Sequence, residues 1–227
     1  MNKKSWLVYM PQRTIILFIV LNILAMCTYP GGILHDHSTT GYSFFNNFLS
    51  DLGRYMTYDG TQQNFYSNLL FNSSMMITGF ILSLFFIHIR TIFNIKAGLL
   101  YWLSIIGTIT GIAGGYSMVG IALTPSDLYL DQHIIFAHWL FRFFLISAIC
   151  YSIIIFKTDL IDNKYAIGYC IFTILILAYI IISEFGPSPR ENMSALILQV
   201  VAQKMILLCF LAAIYLQTKG LASILND

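Results

Sequence analysis

Two cations lie inside apolar stretches of the chain, and their chemistry is the first feature that stands out. Arg142 and Lys204 each lie about ten residues into such a stretch, which at a helical rise of ~1.5 Å per residue places both near the middle of a membrane. A charge in hydrocarbon costs several kcal/mol unless it is paired or hydrated, so such residues are candidates for function. No acid lies at the same depth, and the pair could therefore hold an anion such as a phosphate or carboxylate.

A structural role is the alternative for both cations. Acids at the membrane rim or backbone carbonyls would then neutralise them, in a network that only fixes the packing of the helices.

Polar side chains near the cations complete the candidate site. Asp131, His138 and Arg142 share one stripe of a helix, and His133 points away from it. His138 would act as acid and base in an enzyme, with Asp131 tuning its imidazole, because proton transfer near neutral pH suits histidine. We expect an outward-opening polar cavity with these amides in its lining: Asn72, Gln199 and Gln203.

The composition indicates that most of the chain is surrounded by lipid rather than by water. Of the 227 residues, 58% are hydrophobic and 10% are charged, whereas about a quarter are charged in soluble domains. The net charge of +2 is too small to indicate a nucleic-acid partner. We therefore predict an all-α, polytopic membrane protein whose single integral membrane domain covers residues 1–227.

Six apolar segments are long enough to span hydrocarbon as helices. They cover residues 13–30, 65–89, 98–123, 133–156, 165–183 and 194–217. Eight Lys and Arg residues fall on one face of this arrangement and two on the other. By the positive-inside rule both termini are cytoplasmic, in the cytoplasmic (inner) membrane of the cell, and the long loop after the first segment is extracytoplasmic.

That loop contains a helical pattern over residues 43–56. Its aromatic and aliphatic residues fall on one arc, and Ser50, Asp51 and Arg54 fall on the opposite, polar arc. We predict an amphipathic helix that lies at the extracytoplasmic interface. Two roles remain open for it: a simple anchor with a solvated polar face, or a lid whose Ser50, Asp51 and Arg54 bind ligand from above the bundle.

The outer face also carries most of the histidines, with acids nearby. Zinc could use such ligands, but the spacing of these residues is not diagnostic: His35, His37, His133 and His138. We predict no metal and no cofactor.

Residues 42–54, with the sequence YSFFNNFLSDLGR, are followed by Phe71-Asn72 and Gly79, and later by residues 124–127, TPSD, and a histidine. In this order the motifs resemble the membrane proteins of domain-of-unknown-function family 998, across roughly the first two thirds of the chain. The resemblance implies a six-helix bundle and no established activity. More distantly, the Ser-Asp-x-Gly motif is similar to FRAG/DRAM/SFK-type proteins, some of which are tied to lipid remodelling.

Three functions follow from these patterns. The first is a protein that binds a membrane lipid or amphiphile, or an enzyme acting on its headgroup, with Arg142 and Lys204 holding the anion. The second is a non-catalytic accessory subunit that packs against a partner through the small-residue stripe Gly107, Gly111 and Gly115. The third is a small-molecule transporter, which the absence of inverted repeats disfavours.

Overall fold

The computed structural model describes residues 3–93 and 95–225. Among these residues it holds six helices long and apolar enough to cross a membrane, so the prediction of a multi-pass helical membrane protein is confirmed. The helices are α1 (Met10–Thr28), α2 (Phe65–Phe93), α3 (Gly98–Leu123), α4 (Leu130–Thr158), α5 (Asn163–Phe185) and α6 (Met193–Ile224), and a π-helical turn (Ser5–Tyr9) precedes α1.

Side-chain caps fix where the last two helices begin. The Asn192 side chain accepts a hydrogen bond from Ala195 N at 2.9 Å, and Asp162 accepts one from Lys164 N at 3.0 Å. Such caps satisfy backbone N–H groups that have no partner within the helix. The capped starts of α5 and α6 agree with the predicted segments to within two residues.

The six helices form a closed ring. Each helix packs against its neighbours in the chain, and α6 returns to pack against α1. Short connections join α3 to α4 and α4 to α5, which makes these neighbours antiparallel. We refer to this arrangement as the helical ring. The helical ring has an interior that is lined by several of its helices.

Glycines allow α3 to approach its two neighbours closely. A Cβ atom at Gly111 would overlap the Phe86 ring on α2, and one at Gly107 would lie 2.9 Å from the Cβ atom of Cys150 on α4. Gly115 is equally close to Ser83 on α2. The three predicted stripe glycines are buried against helices of their own chain.

Residues 29–64 fold over one end of the helical ring, and we refer to them as the cap. They contain an antiparallel hairpin of β1 (Gly31–Ile33) and β2 (Asp36–Thr40), followed by turns and a 3-10 helix (Leu49–Gly53). The predicted amphipathic α-helix over residues 43–56 is absent from this structure. Its only helical part is the 3-10 helix.

Polar side chains explain this difference, because they bond to backbone groups that an α-helix would use. Asn47 Oδ1 accepts a hydrogen bond from Ser43 N at 3.0 Å, and Asp51 Oδ2 accepts one from Phe48 N at 2.9 Å. Such local bonds compete with helix formation. In the predicted helix the aromatic arc would be buried and the polar arc exposed. The structure has the opposite arrangement: Asn47 and Asp51 are 0% and 4% exposed, whereas Phe45 is 59% exposed.

Candidate functional site

Lys204 holds the cap against the helical ring. Its Nζ atom donates hydrogen bonds of 2.5 Å to the carbonyl oxygens of Phe44 and Asn47. The ammonium group also lies 5.3 Å and 4.8 Å from the ring centroids of Tyr42 and Phe44. Lys204 is only 5% exposed, and these carbonyls and aromatic rings stabilise its buried charge.

Asp51 organises the interior of the cap. Its carboxylate accepts hydrogen bonds from Asn47 Nδ2 at 3.1 Å, from Phe48 N at 2.9 Å and from the Tyr58 hydroxyl at 2.9 Å. Burial raises the pKa of Asp51, and the bonds from Asn47 and Tyr58 oppose that shift. The Arg54 guanidinium lies over the Tyr58 ring at 3.8 Å. The predicted ligand-binding residues Asp51 and Arg54 therefore both contact Tyr58 of the cap.

Further side-chain contacts fasten the cap, and the sequence pattern did not predict this role for them. Asp127, between α3 and α4, accepts hydrogen bonds from Tyr55 N and from Met56 N, the latter at 2.8 Å. Asn64, the last residue of the cap, donates from Nδ2 to Leu52 O, and Asn68 on α2 donates from Nδ2 to Gly53 O. The four-residue spacing of the asparagines was a usable signal for a polar stripe facing the cap.

Beneath the cap, the helical ring encloses a cavity of about 60 Å³, which we call the central cavity. Its walls come from α2, α3, α4, α5, α6 and the 3-10 helix. Most of the lining is aliphatic or aromatic: Leu49, Phe71, Met75, Met118, Ile121, Ala137, Leu140, Phe141, Phe144, Phe172, Ile176, Leu207 and Phe210. The polar members of the lining are Ser50, His133 and Gln203.

His133 and Gln203 are each fixed at one end, and within the described residues each has an unpaired nitrogen at the other end. His133 Nδ1 lies 2.7 Å from Thr124 O, and since a carbonyl only accepts, we assign the proton to Nδ1 and the free lone pair to Nε2. Gln203 Oε1 accepts a hydrogen bond from Leu49 N at 2.9 Å, which leaves the two amide protons of its Nε2 without a partner in residues 3–93 and 95–225. The Ser50 hydroxyl likewise makes no hydrogen bond within the described part of the chain.

A smaller cavity of about 10 Å³ lies further from the cap, with Ser147 and Tyr169 in its lining. Phe144, Phe172 and Phe210 line both cavities, and the ring centroids of Phe144 and Phe210 are 4.5 Å apart. Tyr169 is buried, and its hydroxyl has no hydrogen-bond partner among the residues that the structure describes.

The two cations singled out from the sequence do not form one site. Arg142 makes an ion pair with Glu184 on α5 and lies 5.7 Å from the ring of the exposed Trp139. It is not part of the cavity lining. Lys204 bonds to the cap instead, and the two side chains share no partner. These are the contacts that the structural alternative predicts, with a rim acid for one cation and backbone carbonyls for the other.

The predicted catalytic pair also lies outside the central cavity. His138 is half-buried, Asp131 is exposed, and neither lines the cavity. His133 takes the inward position because it shares a stripe of α4 with Ala137, Leu140 and Phe144. An apolar stripe, rather than the polar one, is thus turned towards the interior. That stripe was the signal in the sequence that could have identified His133.

The other predicted amides have separate positions. Gln199 Nε2 donates to Ile182 O at 2.9 Å and to Pro187 O at 3.2 Å, so it fixes the connection between α5 and α6. Asn72 lies behind Gly53, and its Oδ1 atom is buried without a partner in the described residues. Of the predicted ligand-binding residues, the structure brings Ser50 and Gln203 together at the cavity.

No group of three His, Cys, Asp or Glu side chains within the described residues is placed to hold a metal ion. The fold and cavity define a polytopic helical membrane protein with a capped, largely apolar interior. Comparison of the chain with protein-family models, with curated proteins and with solved structures gave no match. The resemblance to family 998 stays a prediction.

Proposed function

We propose that the protein binds a membrane amphiphile by taking its hydrocarbon chain into the central cavity. The observation that carries this proposal is the distribution of the lining, which is apolar along the helices and polar only beside the cap. Ligand sites are typically apolar concavities with a few convergent polar groups. The ligand would place its chain in the helical ring and its polar end at Ser50, His133 and Gln203.

The shape of the central cavity supports an extended chain. Its lining follows α4 from His133 to Phe144, which at ~1.5 Å per residue gives a depth of about 16 Å. At about 60 Å³ the cavity is smaller than the apolar cavity of ~150 Å³ that takes up benzene, so a chain would have to part the side chains of the lining as it enters. Apolar cavities stay free of water and accept apolar guests, so a single hydrocarbon chain suits this space better than a broad, polar solute.

The charges favour a neutral polar end over the anion expected from the sequence. Glu184 already neutralises Arg142, and the bonds of Lys204 go to cap carbonyls. Among the described residues, the unpaired polar groups at the cavity are the Ser50 hydroxyl, Nε2 of His133 and the Gln203 amide nitrogen. Such groups exchange hydrogen bonds with ester, hydroxyl or amide oxygens.

We further propose that the cap lies on the extracytoplasmic face of the cytoplasmic membrane. The uneven distribution of Lys and Arg between the two faces supports this orientation. Amphiphiles of the outer leaflet would then meet the cap first.

Photocrosslinking tests the binding function. The probe is a monoacylglycerol with a diazirine in its acyl chain, added to the full chain in detergent micelles, and crosslinks are mapped by peptide mass spectrometry. We expect crosslinks on cavity residues such as Leu140 and Phe144. A probe with the same chain and a phosphate head should crosslink less if the polar end is read as neutral.

Two variants that each replace an alanine with phenylalanine supply the test and its control. Ala137 lines the central cavity, so Ala137→Phe places a ring in the space that the chain would occupy, and crosslinking should fall by roughly tenfold or more, which corresponds to about 1.4 kcal/mol of binding energy. Ala178→Phe adds the same ring on the exposed face of α5 and should change nothing. Crosslinks confined to exposed helix faces, or an unchanged yield in Ala137→Phe, would refute chain binding in the central cavity.

A further inference from the structure

We propose that the polar end of the central cavity is a catalytic site that cleaves esters of long-chain acids. Ser50 is the nucleophile, His133 is the general base, and the Gln203 amide stabilises the oxyanion. This inference rests on the proposed binding of a hydrocarbon chain, and it adds a reaction to it.

The base is already oriented for this role. The bond between His133 Nδ1 and Thr124 O at 2.7 Å holds the ring and leaves Nε2 free to accept a proton. A backbone carbonyl thus does what a third side chain does in other nucleophile and base pairs, namely fix the tautomer. His133 is 7% exposed, so the surrounding side chains restrain its position.

The proposed nucleophile and oxyanion donor lie where the 3-10 helix of the cap contacts α6. Leu49 N bonds to Gln203 Oε1 at 2.9 Å, and Ser50 is the next residue of the 3-10 helix. The same bond directs the Gln203 Nε2 protons away from Leu49, and both Ser50 and Gln203 line the central cavity together with His133. Ser50 and His133 make no hydrogen bond here, and such bonds often tighten only when substrate is bound.

The reaction balances with water as the co-reactant. The Ser50 oxygen attacks the ester carbonyl carbon while His133 Nε2 takes the hydroxyl proton, and the Gln203 amide donates to the carbonyl oxygen as it becomes negative. The carbon–oxygen bond to the alcohol then breaks, and that alcohol leaves with the proton from His133. Water attacks the acyl-Ser50 ester in the same manner, which releases the acid and restores the serine.

The geometry also selects the substrate class. The acyl chain occupies the apolar length of the central cavity, so the carbonyl carbon lies at the cap end and the alcohol portion projects towards the cap. Long-chain monoesters with a neutral alcohol fit this arrangement. Short-chain esters would leave the cavity unfilled and lose the binding energy of the chain.

A long-chain alkyl fluorophosphonate tests the nucleophile in the native sequence, without any variant. Peptide mass spectrometry should find its adduct on Ser50. Hydrolysis of a long-chain fluorogenic ester should fall by about 10²–10⁴-fold in Ser50→Ala and His133→Gln. Gln203→Glu keeps the oxygen that bonds to Leu49 N but loses the amide donor, and it should lower kcat by about 10²–10³-fold.

Ser38→Ala, at an exposed serine of β2, is the matched serine control and should keep full activity. Thermal melting of each variant shows whether it is folded. An adduct on any residue other than Ser50, or loss of hydrolysis in His138→Gln with full activity in His133→Gln, would overturn the assignment. Crosslinking of the monoacylglycerol probe in the cavity without an adduct on Ser50 would overturn the catalytic inference and leave the binding function standing.

Discussion

Replacement of Lys204 by methionine tests how the cap is held on the helical ring. Methionine preserves most of the side-chain volume and removes both hydrogen bonds to the carbonyls of Phe44 and Asn47. Hydrogen bonds to a charged group contribute about 1.5–3 kcal/mol each, and of the two carbonyls only Asn47 O keeps a partner among the described residues, the Tyr42 hydroxyl at 3.2 Å. Removal of a buried ammonium group recovers part of that energy, and we expect a net loss of about 2 kcal/mol in the docking of the cap.

Hydrogen exchange measures this loss where it occurs. A change of about 2 kcal/mol corresponds to roughly 30-fold faster exchange, and it should affect the amides of residues 43–53 while those of α3 stay protected. Lys219→Met is the matched control, because Lys219 is exposed on the same helix. Lys204→Arg should keep part of the protection, since arginine retains the charge and the donors.

The result also separates two roles for Lys204. A lysine that binds an anion would, on replacement, change ligand retention and leave the cap in place. Unchanged exchange of residues 43–53 in Lys204→Met would therefore refute the docking role. Equal acceleration throughout all six helices would do the same, because it would indicate global destabilisation.

Two further predictions concern the cap. Because burial raises the pKa of Asp51 in the folded protein above its ordinary value of 3.8, the folded state binds more protons, and cap stability should fall as pH rises from that value through the raised pKa. Hydrogen exchange across that range should show this trend in the wild type and lose it in Asp51→Asn, and an identical pH trend in both proteins would exclude Asp51 as its source. For orientation, a membrane-impermeant maleimide applied to cells with a cysteine-free background should label Thr39→Cys and not Lys96→Cys, and the reverse pattern would place the cap in the cytoplasm.

The candidate site was only partly predictable from the sequence. Gln203 was identified because a polar residue within an apolar segment is unusual, and Ser50 was identified because it lies on the polar arc of residues 43–56. His133 was set aside because the polar stripe of Asp131, His138 and Arg142 was expected to face inwards. The apolar stripe occupies that position instead, since the interior of the helical ring is itself apolar. Arg142 could remain near the outer surface because Glu184 of the next helix pairs with it.

The cap shows why local periodicity was insufficient. Residues 43–56 have a helical pattern of apolar and polar residues, but the partners of Asn47 and Asp51 are backbone and side-chain groups of the cap itself. The pattern correctly separates two kinds of side chain. It does not show that the polar set is buried.

The sequence by itself determined that the chain has six segments long and apolar enough to cross a membrane as helices, because each such segment depends only on its own length and hydropathy. The tertiary structure alone decided which face of α4 turns inwards and how the cap closes the helical ring. Those features depend on contacts such as that between Leu49 N and Gln203 Oε1, which are 154 residues apart in the chain. Side-chain patterns within one segment contain no record of such partners.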